Sequence, residues 1–327
     1  MIISKTPYRI SFFGGGSDYP EWYTKNGGKI LSSTIDKYIY LSFRELPPYF
    51  GFKYRIVWSN VENTNHTKNI KHNVVRNLLP FMKIKKGIEL HYQADLPARS
   101  GMGSSSSFIV GLLNSIMSYK KKKISKVNLA NQSIFFENKV LNEIVGIQDQ
   151  ISASVGGFNK ININKNGKYK IIKINSKKNL SNLNKNLVLV FTGINRSASE
   201  IAGKYVDKLN KSKHNQMLEI TNHVDEGAKL LKSGKINDFG KLMNESWMLK
   251  KSLSNIISNK KIDQLHSFFM NNGALGGKLL GAGGGGFMLF CIPPYIQKKI
   301  FEKNKNIKIV PFKFSNTGSK IILNQND

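Results

Sequence analysis

Two glycine-serine segments, far apart in the chain, constrain what this sequence can fold into more than any other feature. The first occupies residues 97–107 and reads Pro-Ala-Arg-Ser-Gly-Met-Gly-Ser-Ser-Ser-Ser, and the second occupies residues 281–286 and reads Gly-Ala-Gly-Gly-Gly-Gly. Because glycine has no Cβ, a glycine-rich backbone can approach a ligand closely, and the free N–H groups that open a helix attract anions. The two segments therefore predict a protein that binds a polyphosphate.

The first segment has the continuation that a phosphate site requires. Apolar residues from Phe108 to Met117 recur at helical spacing, and the lysine run at 120–123 suits a helix C-terminus. The pattern predicts a helix that begins near Ser104, with its N-terminal amides facing the phosphate. The alternative interpretation is a serine-rich helix cap with a tight turn and no ligand.

Two common phosphate-binding motifs are excluded by their context. Residues 273–279 approach the Walker pattern, but the spacing is wrong and Leu279 stands where a hydroxyl is needed. Gly281, Gly283 and Gly286 satisfy the dinucleotide fingerprint, yet residues 287–294 that follow resemble a strand closed by prolines rather than a helix. We therefore expect a different phosphate-binding fold.

Length and composition favour two domains in a reducing compartment. The chain has 327 residues with 40% hydrophobic content, and a Lys/Asn-rich stretch at 160–185 suggests a boundary between domains at 1–180 and 181–327. The single cysteine, Cys291, cannot form an internal disulfide. No apolar stretch reaches the length of a membrane span and the N-terminus lacks a signal-peptide core, so we expect a cytoplasmic protein without a membrane partner.

The formal net charge of +30 raises the question of nucleic-acid binding. The basic residues are mostly lysines, they are spread along the whole chain, and no recognition-helix, zinc or RNA-binding motif accompanies them. We expect no specific nucleic-acid partner. The positive field would still help to collect phosphorylated small molecules.

The remaining pattern predicts alternating helices and strands. The expected elements are a strand at 1–13 that enters Gly14-Gly15-Gly16, a strand pair or hairpin at 30–43, an irregular flap-like segment at 47–73, a helix at 74–82, a strand at 88–93, a helix at 125–141, an exposed hairpin within 160–185, a buried strand at 187–191, helices over much of 197–269, and a strand that ends near 290.

Four segments, in the same order, resemble the motifs of the GHMP small-molecule kinases, which include galactokinase and the homoserine, mevalonate and phosphomevalonate kinases. These segments are residues 6–19, 97–107, 146–150 and 278–287. Within that superfamily the opening strand and residues 191–201, 247–254 and 273–287 resemble the bacterial D-glycero-α-D-manno-heptose 7-phosphate kinases. The resemblance spans almost the whole chain.

This resemblance implies a fold and a reaction. The implied fold is α+β with two domains: an N-terminal α+β domain like that of a ribosomal small-subunit protein, with a left-handed βαβ unit, and a ferredoxin-like C-terminal domain. The implied reaction is ATP-dependent transfer of phosphate, with Mg²⁺, to the anomeric hydroxyl of heptose 7-phosphate, a small-molecule sugar phosphate. The product would be the 1,7-bisphosphate used for nucleotide-activated heptose. The sequence leaves open whether the protein is a monomer or a homodimer.

The resemblance also assigns roles to residues at the phosphate end of the site. Asp149 is expected to activate or orient the acceptor hydroxyl, and Arg9 to keep Asp149 ionised and offset charge on the transferring group. Ser105 and Glu137 are expected to hold Mg²⁺, with Ser104 as the less favoured hydroxyl. The alternatives are a turn cap for Asp149, a surface charge for Arg9 and an exposed helix carboxylate for Glu137. The expected ATP-binding residues are Pro97, Arg99, Ser100, Gly101, Met102, Gly103, Ser104, Ser105, Ser106 and Ser107.

The part of the site that binds the acceptor sugar is expected in the loop after the first strand. Asp18 suits a bidentate contact with two neighbouring hydroxyls, although residues 14–16 could be only a turn. Arg196 and Lys250 are expected to bind the distal phosphate of the acceptor, and Lys251 is a further candidate. The alternative for each lysine is a solvated surface charge that contacts no ligand. The expected acceptor-loop residues are Gly15, Gly16, Ser17, Asp18 and Tyr19, and the glycines expected to support the phosphate loop are Gly281, Gly283, Gly284, Gly285 and Gly286.

Two other classes of function stay open at this point. One is a kinase for another sugar, such as fucose or galactose, or for a phosphorylated isoprenoid acid. The other is a sugar-sensing regulator without catalytic activity on the same fold, which the complete set of Arg9, Glu137 and Asp149 disfavours.

Overall fold

A computed structural model describes residues 1–196, 198–304 and 306–325 and arranges them around two β-sheets. Ser197, which belongs to one of the segments that carry the family resemblance, lies outside the described residues. The strands are β1 (Ile2–Phe13), β2 (Gly28–Glu45), β3 (Tyr54–Val57), β4 (Val61–Thr64), β5 (Ile88–Ala94), β6 (Phe158–Ile163), β7 (Tyr169–Lys173), β8 (Leu187–Phe191), β9 (Gly276–Leu279), β10 (Phe287–Cys291), β11 (Ile309–Val310) and β12 (Lys320–Asn324).

Helices cover the sheets and connect them. They are α1 (Pro20–Asn26), α2 (Asn73–Phe81), α3 (Ser104–Tyr119), α4 (Lys126–Phe135), α5 (Gln148–Val155), α6 (Lys177–Asn186), α7 (Ala198–Ala202), α8 (His214–Lys232), α9 (Ile236–Leu253), α10 (Lys260–Asn271) and α11 (Pro294–Lys303). Within the described part of the chain, no helix is both long enough and apolar enough to span a bilayer.

The first sheet has the order β12-β1-β2-β5-β3-β4, and β6 and β7 extend it from β2. Neighbouring strands are antiparallel except β3 and β5, which are parallel. Helix α3 packs on β1 and β2. Its residues from Ser106 to Leu113 are buried, so the body of the helix is fixed against the sheet directly after its first two residues.

The strand pair or hairpin predicted at 30–43 is wrong, because β2 is one continuous strand of 18 residues. Its first half pairs with β6 and its second half with β5, so the polar residues in its middle mark a change of partner rather than a turn. The Thr34 hydroxyl donates to the Ser315 carbonyl at 2.7 Å and accepts from the Gly157 N–H at 2.8 Å. These bonds satisfy a buried polar group that sequence patterning interprets as loop.

The prediction that residues 47–73 are irregular is wrong in part, while a flap-like movement of this segment stays a prediction. It contains the β3–β4 hairpin and short 3₁₀ turns at 48–50 and 67–69. Each strand has only four residues, which is too short for alternation to be recognised in sequence. Pairing of β3 with β5 and burial of Tyr54 and Ile56 stabilise the hairpin in the sheet.

The second sheet has the order β11-β8-β10-β9 with all pairs antiparallel. Helices α7 to α10 lie between β8 and β9 in the chain, and α11 lies between β10 and β11. This βαββαβ succession is that of ferredoxin-like folds. The exposed hairpin predicted within 160–185 is present as β6 and β7, followed by α6.

The two sheets share one hydrophobic core. The rings of Phe12 and Phe13 on β1 lie 5.5 Å and 5.1 Å from the ring of Phe239 on α9. The last strand, β12, returns to pair with β1, so the end of the chain belongs to the first sheet rather than to the C-terminal unit predicted at 181–327. The boundary near residue 180 otherwise stays a prediction.

The helix predicted at 125–141 changes from an α-helix to a π-helix after Phe135. It begins at a Ser125 cap, whose hydroxyl accepts from the Asn128 N–H at 3.2 Å, and runs as α4 to Phe135. A π-helical turn at Phe136–Val140 follows and contains Glu137. Such turns are frequent at functional sites because they redirect a side chain.

Candidate active site

A cavity of about 490 Å³ lies where the two sheets meet and gathers residues from five distant segments. It is bounded by the end of β1, the loop before α1, the start of α3, the first turn of α5 and the second glycine loop. The sequence-predicted residues that line it are Arg9, Gly15, Gly16, Asp18, Tyr19, Arg99, Gly101, Gly103, Ser104, Ser105, Ser106, Glu137, Asp149, Arg196, Lys250, Gly281, Gly283 and Gly285.

The start of α3 forms one wall of this cavity. Gly103 adopts a φ of 77° immediately before the helix, and the Ser104 hydroxyl accepts from the Arg99 N–H at 3.2 Å. The first N–H groups of a helix have no partner inside the helix, and here they open onto a cavity that Ser105 and Ser106 also line. The arrangement suits a phosphate anion.

Other residues of segment 97–107 do not line the cavity. Met102 packs into the hydrophobic core, and the Ser107 hydroxyl donates to the Pro7 carbonyl at 3.0 Å. The Ser100 carbonyl accepts from the Phe287 N–H at 3.2 Å, while Pro97 is exposed outside the cavity. These residues hold the loop in place rather than present side chains to a ligand.

The second glycine loop lies directly against the first. A Cβ on Gly281 would lie 2.5 Å from the Gly101 Cα, and a Cβ on Gly286 would overlap the Ser100 carbonyl oxygen. Both glycines also have positive φ values, 78° and 101°. Gly284 and Gly286 are outside the cavity lining, so this loop supports segment 97–107 mainly through its backbone.

Arg9 and Asp149 form a buried ion pair at the mouth of the phosphate loop. The Arg9 Nε and Nη2 donate to Asp149 Oδ1 and Oδ2 at 2.7 Å and 2.6 Å, and Nη1 donates to the Gly101 carbonyl at 2.7 Å. The Arg9 side chain is 5% exposed and the Asp149 side chain is 22% exposed. The bidentate geometry fixes the Asp149 carboxylate while leaving part of it open to the cavity.

Asp18 is buried at the acceptor end of the cavity, whereas its neighbour Ser17 is not part of the lining. The Asp18 Oδ1 accepts from the Gly16 N–H and Oδ2 from the Gln148 N–H, both at 3.2 Å. Burial first, and then the nearby Asp149 charge, raise the pKa of Asp18 to about 6. The Ser17 hydroxyl instead exchanges hydrogen bonds with the backbone of Lys29, so the structure does not bring it to the site.

Glu137 is completely buried beside the phosphate loop. Its Oε2 accepts from the Ser106 hydroxyl at 2.8 Å and from Gln150 Nε2 at 2.6 Å, while Oε1 has no partner among the described residues. Burial raises the pKa of Glu137 to about 8. The structure therefore pairs Ser106 with this carboxylate, and the role of Ser105 as a hydroxyl for Mg²⁺ stays a prediction.

A divalent cation beside Glu137 would need oxygen atoms from a bound ligand to complete its coordination. In the described part of the chain, no three His, Cys, Asp or Glu side chains are grouped to hold a metal ion. Mg²⁺, however, is commonly held by one or two carboxylates together with substrate phosphates and water. The unpartnered Oε1 of Glu137 and the nearby serine hydroxyls match that requirement.

Two buried lysines add positive charge to the same cavity. The Lys250 ammonium donates to the Gly281 carbonyl, and burial, reinforced by Arg9, lowers its pKa to about 8. Lys278 donates to the carbonyls of Ser11, at 3.0 Å, and Phe12. Sequence reasoning gave Lys278 no role, although a lysine inside a glycine-flanked apolar run was a signal that could have been used.

The other predicted basic residues lie at or beyond the rim. Arg196 is exposed at the cavity edge, and its N–H donates to the Arg99 carbonyl at 3.1 Å. Lys251 is outside the lining and pairs with Asp263 at 3.0 Å. Of the two adjacent lysines, only Lys250 reaches the site.

An aromatic end of the cavity was missed by sequence reasoning. The His72 ring stacks on Phe108 at 4.7 Å and meets Trp58 edge-on at 5.0 Å, and all three line the cavity. Burial lowers the pKa of His72, which favours a neutral ring. A flat, apolar wall beside an anion-binding helix start suits the base of a nucleotide.

Comparison with known proteins gives matches for both halves of the chain. Residues 66–157 match the GHMP kinases N terminal domain, and residues 228–306 match the GHMP kinases C terminal domain. The D-glycero-alpha-D-manno-heptose 7-phosphate kinase of Campylobacter jejuni is 29% identical, with 98% of each chain covered. The mevalonate kinase of Methanocaldococcus jannaschii is 26% identical over 92% of this chain and 95% of its own.

A solved structure agrees with the fold. The D-glycero-D-manno-heptose 1-phosphate kinase of Bacteroides thetaiotaomicron superposes with a TM-score of 0.81 at 21% identity, and all of both chains is covered. At 21% identity the superposition supports the two-domain α+β fold alone.

Proposed function

The chain belongs to the GHMP kinases, and from this membership we propose that it transfers the terminal phosphoryl group of ATP to the anomeric hydroxyl of D-glycero-D-manno-heptose 7-phosphate, giving the 1,7-bisphosphate. The observation that carries the proposal is the Arg9–Asp149 pair. Arg9 holds both oxygens of Asp149 and also the Gly101 carbonyl of the phosphate loop. A carboxylate for the acceptor hydroxyl and a cation for the developing charge are therefore fixed at one point.

Phosphoryl transfer requires a protein mainly to position the two substrates and to neutralise the charge on the phosphates. The N–H groups at the start of α3 would hold the triphosphate, and the partly exposed Asp149 carboxylate would accept a hydrogen bond from the acceptor hydroxyl and take its proton. Arg9 would remain a charged neighbour of both groups. Gly281 and Gly286 keep the phosphate loop from shifting because their backbones touch Gly101 and Ser100.

Magnesium would bind beside Glu137. The carboxylate oxygen Oε1, with the hydroxyls of Ser105 or Ser106, would hold the cation together with phosphate oxygens. When bound, the cation supplies neutralisation of the phosphate charge. The nucleotide base would lie at the aromatic end, between Trp58, His72 and Phe108.

The acceptor is proposed to carry a phosphate of its own. Lys250 is buried near Asp18 and Asp149, whose charges act on it, and Arg196 stands at the rim, so both side chains are available to a second phosphate. Similarity over nearly the full length to a relative named for heptose 7-phosphate supports the same acceptor here. We propose a small-molecule sugar phosphate as the only partner that this site requires, and a cytoplasmic location.

An acceptor panel tests this proposal. ADP release is measured with ATP, Mg²⁺ and each of heptose 7-phosphate, unphosphorylated heptose, fucose, galactose and mevalonate, and ³¹P NMR identifies the phosphorylated position. We expect kcat/KM for heptose 7-phosphate to exceed the others by about 10²-fold or more, since unpaired buried charge penalises a neutral acceptor. Equal turnover of an unphosphorylated hexose would remove the proposed substrate and favour another sugar kinase.

A background measurement completes the panel. The Asp149→Asn variant, assayed with the same acceptors, reports ATP hydrolysis that does not depend on the proposed carboxylate. If neither protein releases ADP above the background rate with any acceptor, the protein is the non-catalytic regulator rather than a kinase. Equal, acceptor-dependent rates in the two proteins would instead remove Asp149 from its proposed role.

A further inference from the structure

We propose that Asp18 is a positioning residue that anchors the first turn of α5 and thereby sets Asp149 against Arg9, an inference that rests on the proposed kinase function. The family resemblance predicts that Asp18 contacts the hydroxyls of the acceptor. The contacts of its carboxylate in the structure are instead made with the protein itself.

Asp18 is bonded to the residues that immediately precede Asp149. Its Oδ2 accepts from the backbone N–H of Gln148, the first residue of α5, at 3.2 Å, and its Oδ1 accepts from the Gln148 side chain at 3.4 Å. The backbone carbonyl of Asp18 also accepts from the Ile147 N–H at 3.2 Å. Three hydrogen bonds thus fix residues 147 and 148, and Asp149 follows directly in the same helical turn.

The space around the carboxylate gives independent evidence for this anchor. Gly146 packs so closely on Asp18 that an added Cβ would overlap Oδ2. The Gly146 φ is not in the left-handed region, so the need for glycine comes from the carboxylate rather than from the backbone conformation. Segment 146–148 is therefore shaped around Asp18.

The same carboxylate holds the acceptor loop. Oδ1 accepts from the Gly16 N–H at 3.2 Å, so one side chain connects the loop after β1 with the helix that carries Asp149. Both oxygens already have N–H donors, and Asp18 is 1% exposed. A shift of the acceptor loop would consequently move Asp149 relative to the phosphate loop, and small misplacements of a reacting group reduce rates strongly.

Substitution by asparagine breaks this anchor without changing its shape. Asp18→Asn would leave an amide NH₂ facing a backbone N–H, because both carboxylate oxygens now serve as acceptors. We expect kcat to fall by about 10- to 100-fold, while KM for ATP and for the acceptor changes by less than about 3-fold. A retained kcat would overturn the proposal.

A double-mutant cycle separates positioning from direct contact. If Asp18 acts through Asp149, Asp18→Asn added to Asp149→Asn should reduce the residual rate by less than about 2-fold. If Asp18 binds the acceptor, the acceptor KM should rise in both backgrounds, and that result would contradict the proposal. Gly146→Ala disturbs the same contact from the other side and should reproduce the loss of kcat and the non-additivity.

An NMR measurement keeps the inference independent of activity. The Arg9 Nε–H, which is bonded to Asp149 Oδ1 at 2.7 Å, should exchange with solvent at least about 10-fold faster in Asp18→Asn than in wild type. Assignment uses Arg9→Lys, and an unchanged thermal midpoint excludes general unfolding. Unchanged exchange would overturn the positioning role, whereas normal turnover by Asp149→Asn would overturn the proposed function instead.

Discussion

At the scale of single residues, three buried basic side chains line the cavity together with the carboxyl groups of Asp18 and Asp149. Arg9 is bonded to Asp149, the charges of Asp18 and Asp149 act on Lys250, and Lys278 lies close enough to Arg9 and Lys250 to feel both charges. Burial lowers the pKa of both lysines and raises that of Asp18. Such a site is complementary to an anionic acceptor.

Lys250 should make the reaction sensitive to alkaline pH. Its pKa of about 8 lies below the usual 10.5, so the ammonium is charged below pH 8 and becomes neutral above it. In wild type, kcat/KM for the phosphorylated acceptor should fall by about tenfold per pH unit above pH 8, because this ratio reports the free enzyme.

Lys250→Arg provides the control for that profile. Arginine remains charged throughout, so the decline above pH 8 should disappear if Lys250 binds the acceptor phosphate. Lys251→Arg, next to it but paired with Asp263, should keep the wild-type profile. An identical decline in the Lys250→Arg variant would remove Lys250 from this role.

Glu137 should govern the metal requirement. Glu137→Gln keeps an oxygen that can accept from Ser106 and Gln150 but removes the negative charge that a cation needs. We expect the Mg²⁺ concentration for half-maximal rate to rise by about 10-fold or more, with weaker Mn²⁺ binding to the nucleotide-loaded protein by EPR. The same Mg²⁺ dependence in both proteins would contradict this role.

At the scale of elements, the two glycine loops act as one unit because their backbones touch. Gly281→Ala should destabilise the fold by roughly 2 kcal/mol or more and weaken ATP binding, since the left-handed φ of 78° is combined with a clash against Gly101. Denaturant titration and calorimetry measure the two effects.

Gly51→Ala is a matched control for this prediction. Gly51 has a φ of 76° but nothing within 4 Å of an added Cβ. It should therefore show only the conformational penalty, about 1 kcal/mol, with unchanged ATP affinity. Equal effects at the two positions would mean that the contact between the loops is unimportant.

The elements also show how far sequence reasoning reaches. Strand β1, helix α3 and strands β8 and β10 were predictable because hydrophobic periodicity and glycine boundaries coincide in them. The continuous β2 was missed because its polar centre is satisfied by Ser315 and Gly157, which are remote in sequence. The β3–β4 hairpin was missed because its strands depend on pairing with β5.

The residues of the candidate site also differ in whether they could be predicted from the sequence. Arg9, Asp149 and the serine loop belong to compact motifs, and the structure brings them into one cavity. Trp58 and His72 lie outside any local motif and reach the cavity through tertiary packing, so sequence patterning gave them no role. Lys278 belongs to segment 278–287, but its contact with β1 depends on tertiary packing and its side chain was given no role. Ser17 fits the local motif, but its hydroxyl bonds to Lys29.

At the scale of the whole molecule, the site exists only because two sheets share a core. Lys278 on β9 donates to two carbonyls of β1 and thereby links the second sheet to the first beside the acceptor loop. A buried lysine that has no carboxylate partner among the described residues is costly, and burial lowers its pKa well below the ordinary value, so its presence here suggests a functional requirement.

Lys278→Met should therefore separate stability from activity. Removal of the desolvated amino group should leave Tm unchanged or raise it, whereas kcat/KM should fall by about 10-fold or more because the end of β1, which leads into the acceptor loop, loses its link to β9. Lys251→Met, a partly exposed lysine, should change neither quantity. Lower Tm with normal kinetics would assign Lys278 to folding alone.

The central claim is that the start of α3 presents the terminal phosphoryl group of ATP to Asp149 and Arg9. The most direct test is to measure phosphoryl transfer and ATP affinity in the same Asp149→Asn preparation, with the exposed Asp238→Asn as control. We predict that transfer to heptose 7-phosphate falls by about 10²-fold or more while the ATP Kd stays within about 3-fold of wild type. Undiminished transfer by Asp149→Asn would contradict this account.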